Sequence, residues 1–356
     1  MIRITLFGGI ILETLKNYLF ELCSECAPSG REDLLCSIER LVRPYADKCY
    51  RDNAGNLIAV KYSKTHGAEK LMLDAHIDEV GLVVTGVDDQ GFIHFANHAG
   101  LSPRILPAST VTVLSKPSLV GVVATLPPHL LKDTDTKKIN KISDMVIDVG
   151  FSAEKTREMV KTGDMIALRS SLADLKNNLV MGKSFDNRAS AAVLVNLISI
   201  MSKINIAYDV YCVFSAGEEF GGYGAKTAAF DIAPDKAIVI DTTFGVSPYT
   251  SKAKGKELSK GPAVAIAPIL DNHMTEELMH IAKIKGISYQ TEVISGATGT
   301  NSDGIVVTRN GVPTALLSLP LRYMHSAGEI VSLEDMKNTC HILLGFVEKK
   351  GGNMYE

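Results

Sequence analysis

Val213-Phe214-Ser215-Ala216-Gly217-Glu218-Glu219-Phe220-Gly221-Gly222 is the stretch from which the fold of this chain can be read. An apolar, β-prone run from Tyr211 to Phe214 stops at two adjacent carboxylates. Glycines follow at once, then a helix-compatible run from Ala225 to Phe230. The order is strand, tight turn, helix. Open α/β sheets put ligands at the loops that follow the carboxyl ends of strands. Consecutive side chains there point in different directions, so one carboxylate can bind a cation while its neighbour holds a water. Taken alone, the pair reads as a solvated acidic turn. Its meaning depends on what the other strands deliver.

Working outward, the strand Lys70 to Ala75 delivers His76-Ile77-Asp78-Glu79. In a His-x-Asp the imidazole can bind a metal through one nitrogen while the carboxylate fixes the ring. Leu179 to Phe185 leads to Asp186-Asn187-Arg188 and a long apolar helix, Ala189 to Met201. Asp186 reads as a helix N-cap or as a metal-bridging carboxylate favoured by the helix N-terminus. The strand Lys236 to Ile240 ends at Asp241, and Val312 to Pro320 leads to Tyr323-Met324-His325-Ser326. Acidic and His residues thus recur at strand ends, as a carboxylate and imidazole metal cluster requires. Such donors favour Zn²⁺, Co²⁺ or Mn²⁺. Two His and three carboxylates, one of them bridging, would hold two ions ~3.5–4 Å apart. The remaining carboxylate would be the general base.

The rest of the chain frames these strands. A first amphipathic helix covers 13–24, and Ala27 to Glu32 breaks it. Ser29 and Glu32 have capping-box spacing for a second helix over about 31–43. Asn53 to Asn56 is a hairpin turn, followed by a strand, Leu57 to Tyr62. Between 80 and 166 short alternating strands replace long helices, which marks a small β-rich domain. Within it, 127–141 is expected to be a charged loop, and His94, His98 and His129 to be surface or interface residues rather than ligands. A helix is expected from Met274 to about 285, a strand from Tyr289 to Val293, and a final helix over about 333–348. The Gly-rich loop Gly296 to Gly304 lacks the spacing of a nucleotide site.

Composition excludes several function classes. At 356 residues the chain can bury a large core, and two domains are expected. A net charge of −3 with no block of like charges argues against a nucleic-acid surface. The six cysteines show no disulfide spacing, and Cys23-x-x-Cys26 lies in a helical pattern. Free thiols suit a reducing cytoplasm. The start, Met1 to Leu12, is apolar, but glycines interrupt it and no cleavage site follows. It reads as an N-terminal extension or first strand. No apolar run reaches the ~18–20 residues of a membrane span.

In this setting the chain resembles the tetrahedral (TET), or glutamyl, aminopeptidases, a family of dinuclear metallopeptidases. The resemblance is carried by Pro28-Ser29-Gly30-Arg31-Glu32, Asp74 to Gly81, Lys183 to Arg188, Gly217-Glu218-Glu219, Gly224-Ala225-Lys226, Lys260-Gly261-Pro262 and Pro320 to Ser326. These stand in family order over nearly the whole chain. The resemblance implies an α/β fold: a mixed-sheet, zinc-peptidase-like catalytic domain sandwiched by helices (1–79 and 167–356). A small β-rich, barrel or PDZ-like dimerisation domain (80–166) interrupts it. It implies two divalent ions, Zn²⁺ first and Co²⁺ or Mn²⁺ as alternatives. His76, Asp186 and Asp241 would hold one, and Asp186, Glu219 and His325 the other. Glu218 would be the general base, and Asp78 would orient His76. Short peptides would be the substrates, with no nucleic-acid or membrane partner. Dimers, and tetrahedral dodecamers built from them, would be the assembly.

The chain departs from the family at Asn301, where Asp is frequent, at Thr242-Thr243, and over 244–260. Two other readings use the same residues: a metal-dependent deacylase or dipeptidase on N-acyl amino acids, and a non-catalytic assembly protein that keeps the fold. A glucanase is disfavoured, because glycoside hydrolysis needs two flanking carboxylates and no metal.

Overall fold

The computed structural model describes residues 2–34, 36–126, 139–248, 250–251 and 254–348, the side chains of 2–10 and 34 excepted. Helix α1 spans Ile2–Ser24, so of the two expectations for the start of the chain the first strand is not formed: residues 2–12 are helical. Leu15, Leu19 and Leu22, spaced by four and three, put one fully buried face on the core. The expected second helix is split into a 3₁₀ turn, Glu32–Leu34, and α2, Ser37–Val42. The hairpin β1 (Lys48–Arg51) and β2 (Leu57–Lys61) follows, then β3 (Lys70–His76).

The β-rich region comes next: β4 (Gly81–Val87), β5 (Ile93–His98), β6 (Thr110–Val113), β7 (Leu119–Thr125), β8 (Met145–Asp148), α3 (Ala153–Met159) and β9 (Met165–Leu168). Its strands close into a barrel in the order β4-β5-β8-β7-β6-β9. Alternation drives closure, because Leu82, Val84, Val111, Val113, Val123 and Ile147 point into one buried cluster. Ser152 caps α3 by accepting from the Lys155 N–H. His129 and most of the expected loop at 127–141 lie outside the described residues. His94 is exposed beside Asp88.

Past the barrel come β10 (Ala173–Asp174), β11 (Leu179–Gly182), α4 (Phe185–Met201), β12 (Asp209–Ser215), α5 (Tyr223–Ile232) and β13 (Lys236–Phe244). The chain ends with β14 (Ala263–Ile266), α6 (Asn272–Lys285), β15 (Gln290–Val293), α7 (Ser302–Val306), β16 (Thr314–Leu321), β17 (Glu329–Ser332) and α8 (Leu333–Val347). Eight strands form the main sheet, in the order β1-β2-β12-β3-β13-β16-β14-β15. Its centre, β12-β3-β13-β16, is parallel throughout, whereas β2 and β14 run antiparallel to it. One face packs on α1, α4, α6 and α8 in a single apolar cluster, and the other on α5 and α7. Helix α4 is buried on nearly every side, which fits its apolar run Ala191 to Ile198, interrupted only by Asn196. No described helix is long and apolar enough to cross a membrane.

The parallel core positions the site. Four neighbouring strands point their carboxyl ends the same way, and their register aligns Ser215 with His76, and Asp241 with Ser318. A small second sheet, β10-β11-β17, sits beside this edge and pairs Gly182 with Glu329.

Candidate active site

The seven residues singled out in the sequence converge at that edge. His76 is the last residue of β3, and Glu218 and Glu219 lie in the turn between β12 and α5. Asp241 was expected at the end of its strand. It lies inside β13, which runs on to Phe244 because β16 pairs with it as far as Leu321. His325 follows β16 and Asp186 follows β11. Asp186 does not cap α4. It sits in the first turn with non-helical φ −77° and ψ 103°, and Asn187 is non-helical too, so regular winding begins after that pair.

Asp186 is the centre of the cluster. Its Oδ1 is 3.2 Å from His76 Nε2 and its Oδ2 is 3.4 Å from His325 Nε2. Asp241 Oδ1 and Glu218 Oε2 lie 3.8 and 3.9 Å from His76 Nε2, and Glu219 Oε1 lies 3.0 Å from His325 Nε2. Within each of the triads His76–Asp186–Asp241 and Asp186–Glu219–His325, one atom per residue falls within 4.8 Å of the others. Asp186 Oδ1 is buried and accepts no hydrogen bond. A buried carboxylate oxygen without a donor demands a partner, and a cation beside two imidazoles meets that demand. The donor set therefore fits divalent metal.

The electrostatics agree. Burial pushes the Glu218 carboxyl up to about 7, helped by the neighbouring carboxylates of Glu219, Asp186 and Asp78. Burial also raises Asp241 well above the carboxylate range, with Asp186 and Glu218 adding to it. At His325 burial acts to lower the pKa, but the hydrogen bonds to Asp186 and Glu219 win and hold it up at about 11. For Asp186 burial is likewise outweighed by His325 and His76, and its pKa is lowered. The pattern is that of acidic groups crowded for want of positive charge.

A layer of buried polar residues holds these groups. Asp78 Oδ1 lies 3.4 Å from His76 Nδ1 and accepts from the Glu218 N–H at 3.1 Å. Its Oδ2 accepts from the Glu219 N–H at 3.1 Å and from Ser29 Oγ at 2.6 Å. One carboxylate thus faces the imidazole and fixes the Glu-Glu turn. Ser29 and Glu32 do not form the expected capping box. Ser29 serves Asp78, and Glu32 Oε1 accepts from the N–H groups of Gly30 and Gly217. The contacts with Asp78 and Gly217 are long-range in sequence, so spacing could not announce them. Glu79 is clamped by Lys183 Nζ at 2.7 Å and Arg188 Nη2 at 3.1 Å. That clamp ties the loop after β3 to the segment carrying Asp186.

Sequence reasoning missed Glu329, whose buried carboxylate accepts from the N–H groups of Phe185, Asp186 and His325. Burial raises it to about 8, with the Asp186 charge adding. The only sequence signal was its place four residues after His325. Asn301 is also buried, and its Nδ2 donates to Asp74 Oδ2 and Ser215 Oγ. His98 lies where the barrel meets the main sheet. Its Nε2 is 3.0 Å from Ser29 O, and its ring stacks on Phe220 at 4.8 Å. The cluster floors a cavity of about 670 Å³, whose walls include Phe244, Lys254, Lys256, Glu292, Thr298 and Met324.

Comparison with known proteins gives this arrangement relatives. Residues 55–342 match the family described as M42 glutamyl aminopeptidase. The lysyl aminopeptidase of Pyrococcus furiosus is 30% identical over 325 residues, covering 90% of this chain and 91% of that protein. An aminopeptidase from the archaeon Desulfurococcus kamchatkensis superposes with a TM-score of 0.87 at 32% identity, covering 97% of this chain and 96% of the other. The TET1 peptidase of Pyrococcus horikoshii, which can assemble into a tetrahedron or a large octahedral shell, matches with a TM-score of 0.82 at 28% identity over 96% of this chain and 100% of its own.

Proposed function

The chain belongs to the M42 glutamyl aminopeptidase family, and from that premise we propose how this metal-dependent aminopeptidase uses its own residues. His76, Asp186 and Asp241 hold one divalent ion; Asp186, Glu219 and His325 hold the second. The observation that carries this reading is Asp186, buried between two imidazoles with one oxygen toward each. Zn²⁺ suits the donors best, and Co²⁺ or Mn²⁺ suit them too. When bound, such ions polarise the scissile carbonyl and acidify water.

The protein's own groups do the rest. The Glu218 carboxylate lines the cavity beside His76. As general base it takes the proton of the attacking water and returns it to the leaving amine. Asp78 orients His76 and, through the two N–H groups it accepts, fixes where Glu218 stands. The remaining acidity of the cluster attracts the free α-amine of a short peptide. The flanks, 1–79 and 167–356, act as the catalytic domain and 80–166 as a dimerisation domain. In support, Val120, Val122 and Phe151 of the barrel region are exposed. Homo-oligomers follow, up to a tetrahedral dodecamer, in line with the shells of the Pyrococcus horikoshii relative. Sedimentation at micromolar concentration showing monomer alone would contradict this. A cytoplasmic location suits the six free cysteines.

The test uses metal-depleted protein on aminoacyl-p-nitroanilides and their N-acetylated forms, with Zn²⁺, Co²⁺ or Mn²⁺ added back. Cleavage should need metal and a free amine, and Glu218→Gln should lower kcat by about 10²–10⁴-fold. Turnover of the acetylated forms, or an active Glu218→Gln, would overturn the assignment.

A further inference from the structure

Glu329 is a ligand in neither proposed triad, yet two arms of the site meet at its carboxylate. Antiparallel pairing of β11 with β17 sets Glu329 opposite Gly182, three residues before Phe185. From there Oε2 accepts the N–H of Phe185 at 2.6 Å and of Asp186 at 3.3 Å, while Oε1 accepts the N–H of His325 at 2.7 Å. The side chain is fully enclosed, at 1% exposure, so water offers these N–H groups no substitute.

The two segments it holds differ in backbone from the regular elements beside them. Asp186 departs from helical dihedrals inside the first turn of α4. His325 has φ +61°, in the left-handed region that non-glycine residues rarely occupy. The conformation of His325 persists where the surroundings over-determine it, whereas Asp186 is extended where a helix would otherwise continue. One carboxylate tethers both at once, His325 from four residues away and Asp186 from 143 residues away.

We propose that Glu329 is a positioning residue that fixes Asp186 and His325 at the spacing of the second metal position before an ion arrives. The role rests on the ligand assignment above, and Glu329 itself touches neither ion nor substrate. Only a carboxylate of this length meets the need. Gln would turn an NH₂ toward one of the N–H groups, and Asp is one methylene too short to reach both segments.

The experiment is metal binding by the full-length protein. Metal-depleted wild type, Glu329→Gln and Glu329→Asp are dialysed against buffered Zn²⁺, and bound metal is measured by mass spectrometry. Wild type should hold two ions. Glu329→Gln should hold the second about 10–100-fold more weakly. Raising free Zn²⁺ should restore its kcat at unchanged KM, which a general folding defect would not allow. Wild-type affinity for both ions in Glu329→Gln would overturn the role alone. Wild type holding fewer than two ions would overturn the ligand assignment beneath it.

Should the variants fail to fold, hydrogen exchange on the wild type decides. Peptides spanning 183–188 and 323–329 should already be protected in the metal-free protein. Exchange at unprotected rates until Zn²⁺ is added would show that the ions, not Glu329, order these segments.

Discussion

Replacing Gly224 with alanine adds one methyl group at a residue that is no proposed ligand, and we expect it to disable the enzyme. Gly224 lies in the first turn of α5, packed against the end of β12. A Cβ there would stand 2.1 Å from Ala216 O, 2.5 Å from Asn56 Oδ1 and 2.8 Å from Ala216 N. Asn56 already laces these segments together, donating to Gly224 O at 2.9 Å and accepting from the Ala216 N–H at 2.8 Å. Carbon and oxygen approach no closer than about 3.3 Å in ordinary contacts, so one side must yield by about 1.2 Å. The obstacle is backbone, which cannot swing aside. The displacement therefore passes into Ala216, two residues before Glu218. A misplacement of about 1 Å at a reacting group can cost about 10²-fold in rate. Overpacking alone costs about 1–3 kcal/mol. Gly86→Ala is the control, because a Cβ at Gly86 meets nothing within 4 Å.

The assay is steady-state hydrolysis of the best free-amine p-nitroanilide, with a denaturation midpoint for each variant. Gly224→Ala should lose about 100-fold in kcat, with KM within about threefold. Gly86→Ala should match wild type. A folded Gly224→Ala with wild-type kcat would refute the claim that the Glu-Glu turn is held by this contact.

Two further outcomes follow from the buried polar layer. Burial pushes the Glu79 carboxyl up, but Lys183 and Arg188 outweigh it and hold it down to about 2. A depressed carboxylate stabilises the fold above its ordinary value near 4.5 and loses that contribution as pH falls toward 2. Lys183→Met should cost about 3–5 kcal/mol at pH 7 by leaving the charge half paired. Its gap from wild type should narrow in denaturant titrations below pH 4.5, whereas a gap that widens on acidification would contradict the pairing. Asn301→Ala removes both donors that anchor the loop Ser295 to Thr300 beside the cavity. It should cost about 1–3 kcal/mol and raise KM more than it lowers kcat; the reverse split would place Asn301 in the chemistry instead.

Legibility in the sequence was uneven for physical reasons. The strands of the parallel core announce themselves because they are buried on both faces and read as apolar runs, as in Leu71 to Leu73 and Ala315 to Leu317. The residues just past such runs are the ones a parallel sheet gathers at one edge, so His76, Glu218, Glu219 and His325 could be picked out together. The barrel showed itself by alternation. Failures came where a local signal had a distant partner. Ser29 and Glu32 have capping-box spacing, but their oxygens are used by the distant Asp78 and Gly217. Asp241 read as a strand terminus because its side chain is acidic. The hydrogen bonds of β16 carry the strand three residues further.

By itself, the sequence determined which side chains are available for the chemistry and which strands carry them, because hydrophobic periodicity and strand-end position are properties of short segments. Only the tertiary structure decided that Asp186 lies between His76 and His325, that Asp78 also holds the Glu-Glu turn, and that Glu329 supports two ligand segments at once. Those facts depend on strand order and register, which bring together groups more than a hundred residues apart. At that range local periodicity carries no information. Burial and the demand of every enclosed polar atom for a partner select the pairing instead.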